Sequence, residues 1–196
     1  MTTLTNQSAH QPAEGPAKHY DRGYKWLHWS MAILVLLMLL ALIGFAQEMT
    51  TEEYKTILTG HSSIGTVISL LLIMRMSKRF IKRDPRPAQN IAQWQQRASK
   101  MVQLGLYFCM VFIPLTGYLS ARFHQLPVKV FGYFDLNHSA QQAYQQQTFE
   151  LVRGAHEFGI KLLMVLLVVH IGAVIYHRLI KKDDVLASMV KSNKKS

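Results

Sequence analysis

The sequence predicts an all-α membrane protein, a bundle of four transmembrane helices with both its N and C termini cytoplasmic. Of the 196 residues, 49% are hydrophobic, and they gather in four long blocks. Lys and Arg are concentrated in three of the five segments outside those blocks. The alternative is a soluble helical bundle, but soluble helices need a polar face, which the first and fourth blocks lack. The blocks are Trp26–Ala46, Ile64–Met76, Val102–Leu119 and Phe158–Tyr176.

The first block contains no Asp, Glu, Lys or Arg over 21 residues. A helix rises about 1.5 Å per residue, so this block spans roughly 30 Å, the thickness of bilayer hydrocarbon. It is too long for a signal-peptide core, and the polar residues before it are unlike a signal peptide. Trp26, Trp29 and Tyr24 are expected to form an interfacial aromatic belt.

The second block reaches a membrane-spanning length when residues 60–65 and the aliphatic stem of Arg75 are added. The third block contains the sole cysteine, Cys109, which cannot form a disulfide within one chain and is expected to be a buried, inert thiol. The outer loop before the fourth block, residues 121–154, contains "SAQQAYQQQ", which is expected to form a polar cap that is helical or mobile.

Three parts are predicted along the chain. Residues 1–20 form a polar tail that is expected to be disordered, residues 21–190 form the membrane domain, and residues 191–196 form a basic tail.

The distribution of cations predicts the orientation. The segment from Arg75 to Lys100 holds eight Lys or Arg, and the C-terminal segment from Arg178 to Lys195 holds six. The N-terminal tail adds three more. Positive residues remain on the cytoplasmic side, so both termini are expected there. The net charge of +11 is therefore mainly a topological signal with some affinity for anionic membrane lipid, and no nucleic-acid binding is expected.

Nine histidines are present. His10, His19, His124 and His138 lie in polar segments and are expected to be solvated. The other five lie in or beside hydrophobic blocks, where an ionisable side chain usually marks a functional site. The alternative for any one of them is a neutral histidine that is hydrogen-bonded across helices. These five are His28, His61, His156, His170 and His177.

Their spacing predicts two pairs. His156 and His170 are fourteen residues apart, so they share one helix face and lie about 21 Å apart along the axis. His28 is expected to begin the first helix at the inner face, and His61 the second helix at the outer face. The predicted pairs are therefore His28 with His170 inside and His61 with His156 outside. His177, two turns further along, is the rival of His170.

Two opposed neutral imidazoles are what bis-histidine haem iron needs, and a helical bundle is a common place for such a site. Zinc is the rival metal, but it usually takes four ligands, and neither a cysteine nor a carboxylate cluster accompanies either pair. Because no C-x-x-C-H motif is present, the haems would be non-covalent b haems, two per chain. Arg75, fourteen residues from His61, is predicted to reach the inner pair, where it could bind haem propionates; snorkelling to headgroups is the alternative.

Six short motifs in the sequence resemble those of a known protein family. "YKWLHW", "GHSSIG", "PLTGY", "AHE", "VVH" and "KKDDVL", in this order, are similar to the bacterial cytochrome b561 family over about residues 20–190. The resemblance implies a four-helix inner-membrane protein with two b haems, ligated by His28, His61, His156 and His170. It also implies electron transfer to or from quinone, with superoxide as donor and ubiquinone as acceptor in some members. Gln103, where relatives often carry histidine, and Lys161 depart from the family pattern and bear on the substrate.

We therefore expect an oxidoreductase that reduces ubiquinone, with superoxide or a redox partner protein as donor. The outer cations Arg122, Lys129, Arg153 and Lys161 could steer an anion, although scattered loop charges are the alternative. A second hypothesis is an electron-relay and anchor subunit of a separate dehydrogenase or hydrogenase. A third is a transporter, which would want intramembrane carboxylates; Glu157 is the only candidate and lies at a helix end.

Overall fold

The computed structural model describes residues 21–82, 92–137, 145–183 and 186–190. The predicted disordered tail (1–20) and basic tail (191–196), together with His10, His19 and His138, lie outside the described residues. Four long helices dominate: α1 (Arg22–Phe45), α2 (Thr51–Lys82), α3 (Gln93–Arg122) and α4 (Gln146–Tyr176). A π-helical turn (His177–Lys181) continues α4, and a short helix α5 (Ala187–Val190) follows.

All four long helices are apolar and long enough to cross a membrane, so the predicted all-α four-helix fold is confirmed. Many large apolar side chains on them are exposed, including Leu40 at 61% and Ile43 at 63%. In water such a surface would be costly, but against lipid chains it is the favourable one. The cytoplasmic location of the termini stays a prediction.

Three helices, α2, α3 and α4, begin at least nine residues before the apolar segments that predicted them. At the start of α2, Thr50 Oγ1 accepts a hydrogen bond from Glu53 N, and Thr50 N donates to Glu53 Oε2, which together cap the helix. α2 therefore begins ten residues before His61, and the expectation that His61 begins this helix is wrong. α4 likewise begins at Gln146, ten residues before His156. Hydropathy marks the span that lies in lipid, whereas the helix continues beyond it.

The segment between α3 and α4 contains a small β-hairpin that the sequence did not predict. Strand β1 (Lys129–Val130) pairs antiparallel with β2 (Phe134–Asp135). Two serines that follow His61 fix the hairpin to α2: Ser62 Oγ donates to Lys129 O at 2.6 Å, and Ser63 Oγ accepts from Phe131 N at 2.7 Å. The outer loop is thus joined to the helix that carries His61.

Close packing of α3 against α4 leaves little room at their interface. A Cβ atom on Gly159 of α4 would lie 2.9 Å from Ile113 Cγ1 and 3.0 Å from Phe112 Cδ1. Small residues allow membrane helices to approach in this way. Cys109 of α3 is fully buried, as predicted.

Candidate functional site

The outer histidine pair joins α2 to α4. The ring centroids of His61 and His156 lie 6.2 Å apart, and the two ring planes make an angle of 72°. Both side chains are partly buried between helices. The sequence had predicted this pair from chain direction and depth alone.

The inner histidine pair joins α1 to α4 in the same way. The ring centroids of His28 and His170 lie 6.4 Å apart, with an angle of 72° between the planes. Since His156 and His170 are fourteen residues apart on one continuous helix, the two pairs are separated by about 21 Å along α4.

The spacing within each pair suits two ligands of one metal ion. A first-row metal ion binds an imidazole nitrogen at about 2 Å, and the ring centre lies about 1 Å further away, so two opposed ligands have centroids about 6 Å apart. Direct hydrogen bonding between the two rings would need a shorter separation of about 3 Å between the nitrogens themselves. In the parts of the chain that the structure describes, no third His, Cys, Asp or Glu joins either pair to make a cluster of the kind that zinc prefers.

Comparison with known proteins identifies the family. The family model for prokaryotic cytochrome b561 matches residues 19–192. The chain belongs to the prokaryotic cytochrome b561 family. It is similar to "Cytochrome b561 homolog 2" of Escherichia coli (strain K12), with 30% identity over 165 residues that cover 83% of this chain and 86% of the relative. It is also similar to "Cytochrome b561 homolog 1" of the same organism, with 22% identity over 175 residues, covering 86% of this chain and 95% of the relative.

The resemblance inferred from the sequence motifs is thereby confirmed. This cytochrome b561 family member is a multi-pass protein of the bacterial inner membrane, and its family implies haem b binding and electron transfer.

Several features of the outer pair suit a haem. His156 Nδ1 lies 3.0 Å from the carbonyl oxygen of Ile113. Because a carbonyl can only accept, this nitrogen carries the proton, and the other ring nitrogen, Nε2, keeps a free lone pair for a metal. His61 Nδ1 is buried and has no hydrogen-bond partner among the described residues. Leaving a buried polar nitrogen without a partner costs roughly 1–3 kcal/mol, so this ring fits a site that binds a further group.

The glycines near the pairs differ in what they do. Gly154 and Gly172 are exposed, and a Cβ on either would meet no atom within 4 Å, so none of the helices that the structure describes packs against them. Gly159 instead permits the close contact of α4 with α3. Gly117 was not singled out from the sequence, yet its Cβ would lie 3.0 Å from His156 Cε1, so the imidazole packs directly on the backbone of α3.

Arg75 lies beside the inner pair, where the sequence predicted it. Its charge interacts electrostatically with both His28 and His170. Its Nε donates to the Tyr107 hydroxyl at 3.2 Å, and its guanidinium carbon lies 5.0 Å from the centre of the Tyr24 ring. Tyr24 is therefore buried under this cation, and its expected place in an interfacial aromatic belt is wrong. Trp26 and Trp29 are exposed and remain consistent with such a belt.

His177, the rival ligand, has a different neighbour. Its Nδ1 lies 2.5 Å from Asp183 Oδ2 within the turn that follows α4. The ring also contacts Tyr176. The structure thus brings His170, and not His177, to His28.

Of the four outer cations, Arg153 is linked to the outer pair. Its charge interacts with His156, its Nε contacts Glu157 Oε1 at 3.0 Å, and its side chain hydrogen-bonds to Tyr54. Arg122, Lys129 and Lys161 are exposed. Within the described residues, none of these three forms an ion pair.

A series of aromatic rings at the outer end was missed by sequence reasoning. Tyr54 stacks on His124 with centroids 6.0 Å apart, and Phe45 contacts both Tyr54 and His61. His124, expected to be solvated, is partly buried, and its Nδ1 accepts from Leu126 N at 3.0 Å. Burial, which is the largest effect, and the charge of Arg153 hold the pKa of His124 below its usual 6.5, although a hydrogen bond from the protonated ring to the Leu126 carbonyl oxygen, 3.3 Å from Nδ1, acts in the opposite direction.

Proposed function

We propose that this protein is a dihaem b-type cytochrome that reduces ubiquinone, with superoxide as the electron donor at the periplasmic face. His28 and His170 would hold the inner haem, and His61 and His156 the outer one. The observation that carries the proposal is the pair of histidine contacts, 6.4 Å and 6.2 Å between centroids, about 21 Å apart on one helix. When bound, b haem supplies one-electron redox chemistry.

Each residue of the site has a separate task. His156 donates its Nδ1 proton to Ile113, which orients the ring and leaves Nε2 free. Arg75, close to both inner histidines, offers the cation that a propionate carboxylate would bind. The outer and inner designations rest on the cation distribution, which favours a cytoplasmic location for both termini.

The electron count fits a one-electron donor and a two-electron acceptor. Two superoxide ions, each losing one electron to become dioxygen, and two protons convert one ubiquinone into ubiquinol. Superoxide is an anion, so nearby cations raise its rate of encounter. Arg153 is the best placed of the four candidates, because its charge acts on His156; Arg122, Lys129 and Lys161 would contribute more weakly from exposed positions.

The first test is the haem content and the activity of the purified protein. We expect two b haems per chain with low-spin spectra, and superoxide-dependent reduction of a soluble ubiquinone analogue that superoxide dismutase abolishes. A colourless protein would overturn the haem assignment. Two haems without superoxide-dependent reduction would overturn the donor and favour a separate redox partner protein.

The second test concerns steering. Arg153→Gln should lower the second-order rate with superoxide several-fold at low ionic strength, with the difference shrinking as salt is added. Lys55→Gln is the matched control, because Lys55 is also an ion-paired cation near the start of a long helix, 2.7 Å from Glu52. Equal effects of the two substitutions, or an effect that is independent of salt, would contradict steering by Arg153.

A further inference from the structure

We propose that Thr116 of α3 is a positioning residue that sets the redox potential of the haem held by His156. This inference rests on the proposed function, because it takes His156 to be a haem ligand. It concerns a hydroxyl that contacts no metal and that acts only through the far side of the histidine ring.

Two oxygen atoms of α3 face the protonated nitrogen of His156. The Ile113 carbonyl oxygen lies 3.0 Å from Nδ1, and Thr116 Oγ1 lies 3.3 Å from it. Thr116 is 6% exposed, and its hydroxyl donates to the carbonyls of Phe112, at 2.8 Å, and Ile113, at 3.0 Å. Because the Thr116 hydroxyl proton is already donated to these carbonyls, Thr116 Oγ1 can only accept a hydrogen bond from the imidazole.

The local sequence explains why α3 can present these atoms. Pro114 follows Ile113 inside the helix and has no N–H to donate, which favours a bend. Threonine hydroxyls that bond back to the preceding turn also bend helices. Gly117 then removes the side chain that would collide with the imidazole, since its Cβ would lie 3.0 Å from Cε1. The motif "PLTGY" thus forms the surface of α3 against which the His156 imidazole packs.

The effect on the potential has a definite sign. Acceptors facing Nδ1–H draw the proton outward, so the ring becomes a stronger electron donor to a metal at its other nitrogen. A stronger donor stabilises the oxidised, more positive iron and lowers the midpoint potential. Removing one of the two acceptors should therefore raise it. Within the described residues, no hydrogen bond to a ring nitrogen of His28 or His170 is found, so the inner pair should not respond.

The experiment compares three variants of the purified holoprotein by potentiometric titration and by low-temperature electron paramagnetic resonance. Thr116→Val keeps the shape but removes the oxygen, and it should raise the midpoint of one haem and alter its low-spin signal, leaving the other haem unchanged. Thr116→Ser restores a hydroxyl and should return both readouts to the native values. Thr66→Val is the control, since Thr66 makes the same bond to the preceding turn of α2, at 2.8 Å to Ser62 O.

Unchanged midpoints in Thr116→Val, with both haems present, would overturn the inference. So would an equal shift in Thr116→Ser or Thr66→Val, which would indicate packing and not the hydroxyl. If Thr116→Val fails to retain two haems, Thr116→Ala serves for the same comparison. A separate variant, His156→Ala, tests whether His156 is a haem ligand. If this variant retains two haems, the proposed function is wrong at this site. If it loses one haem, the Thr116 variants test the role of Thr116 alone.

Discussion

Replacing His170 with alanine is expected to remove one of two haems, whereas replacing His177 is expected to remove none. His170 lies with its ring centroid 6.4 Å from that of His28, close to the separation of about 6 Å that two imidazoles on one ion require. His177 is seven residues further along the chain, which moves it about 10 Å towards the C-terminal end of α4. No rotation of its side chain restores an opposed geometry with His28 across that distance.

The positions along α4 give a second estimate of the same difference. With His170 as ligand, the two irons would be separated by about 21 Å, but with His177 the separation would be roughly 31 Å, the whole thickness of bilayer hydrocarbon. His177 also has a carboxylate partner in Asp183, 2.5 Å from its Nδ1, so its replacement should loosen the turn after α4 without affecting the haems.

The assay is the ratio of extractable haem to protein together with the reduced-minus-oxidised spectrum. We expect a ratio near two for the native chain and for His177→Ala, and near one for His170→Ala, because a b haem that loses one of two axial ligands is weakly held. The reasoning would be refuted if His177→Ala lost a haem while His170→Ala kept both.

Three further outcomes are expected. Gly159→Ala should lower the free energy of unfolding by about 1–3 kcal/mol, measured by thermal unfolding, because its methyl group would lie 2.9 Å from a side chain of α3. Gly44→Ala is the control and should leave the stability nearly unchanged, because its methyl group would lie 3.6 Å from its nearest contact. A reporter fused after Ser196 should be active only in the cytoplasm, and periplasmic activity would reverse the outer and inner designations. The third outcome depends on pH. Burial lowers the pKa of His124, so the unfolded chain binds more protons than the folded one as the pH falls below about 6.5, and stability falls there. Between pH 7.5 and pH 5, the melting temperature of His124→Gln should therefore fall less than that of the native chain. An identical fall in both proteins would contradict this.

The boundaries of the helices illustrate the limit of prediction from hydropathy. Each apolar block correctly predicted one membrane helix, because the transfer of a segment into lipid depends mainly on the residues of that segment. The starts of α2, α3 and α4 were missed by nine residues or more, because the polar first turns of a helix are stabilised by caps, such as Thr50 with Glu53 in α2, and not by hydropathy. The hairpin was missed because it depends on Ser62 and Ser63 of a distant helix.

The fold class could be predicted from the sequence because membrane-spanning blocks are a matter of composition, and the family could be predicted from the order of six short motifs. The five histidines in or beside the apolar blocks can likewise be read directly from the sequence. The sequence also placed His156 and His170 on one face, which is a property of one continuous helix. The pairing of His28 with His170 was predicted with His177 as its rival, and the structure was needed to show which of the two lies beside His28. The carboxylate of Asp183 beside His177, and the oxygen atoms of Ile113 and Thr116 beside His156, were not predicted. Contacts between helices depend on how each helix is rotated and bent, which spacing along a single helix does not specify. Every residue also carries a backbone carbonyl like that of Ile113, so the sequence does not show which carbonyl accepts from His156.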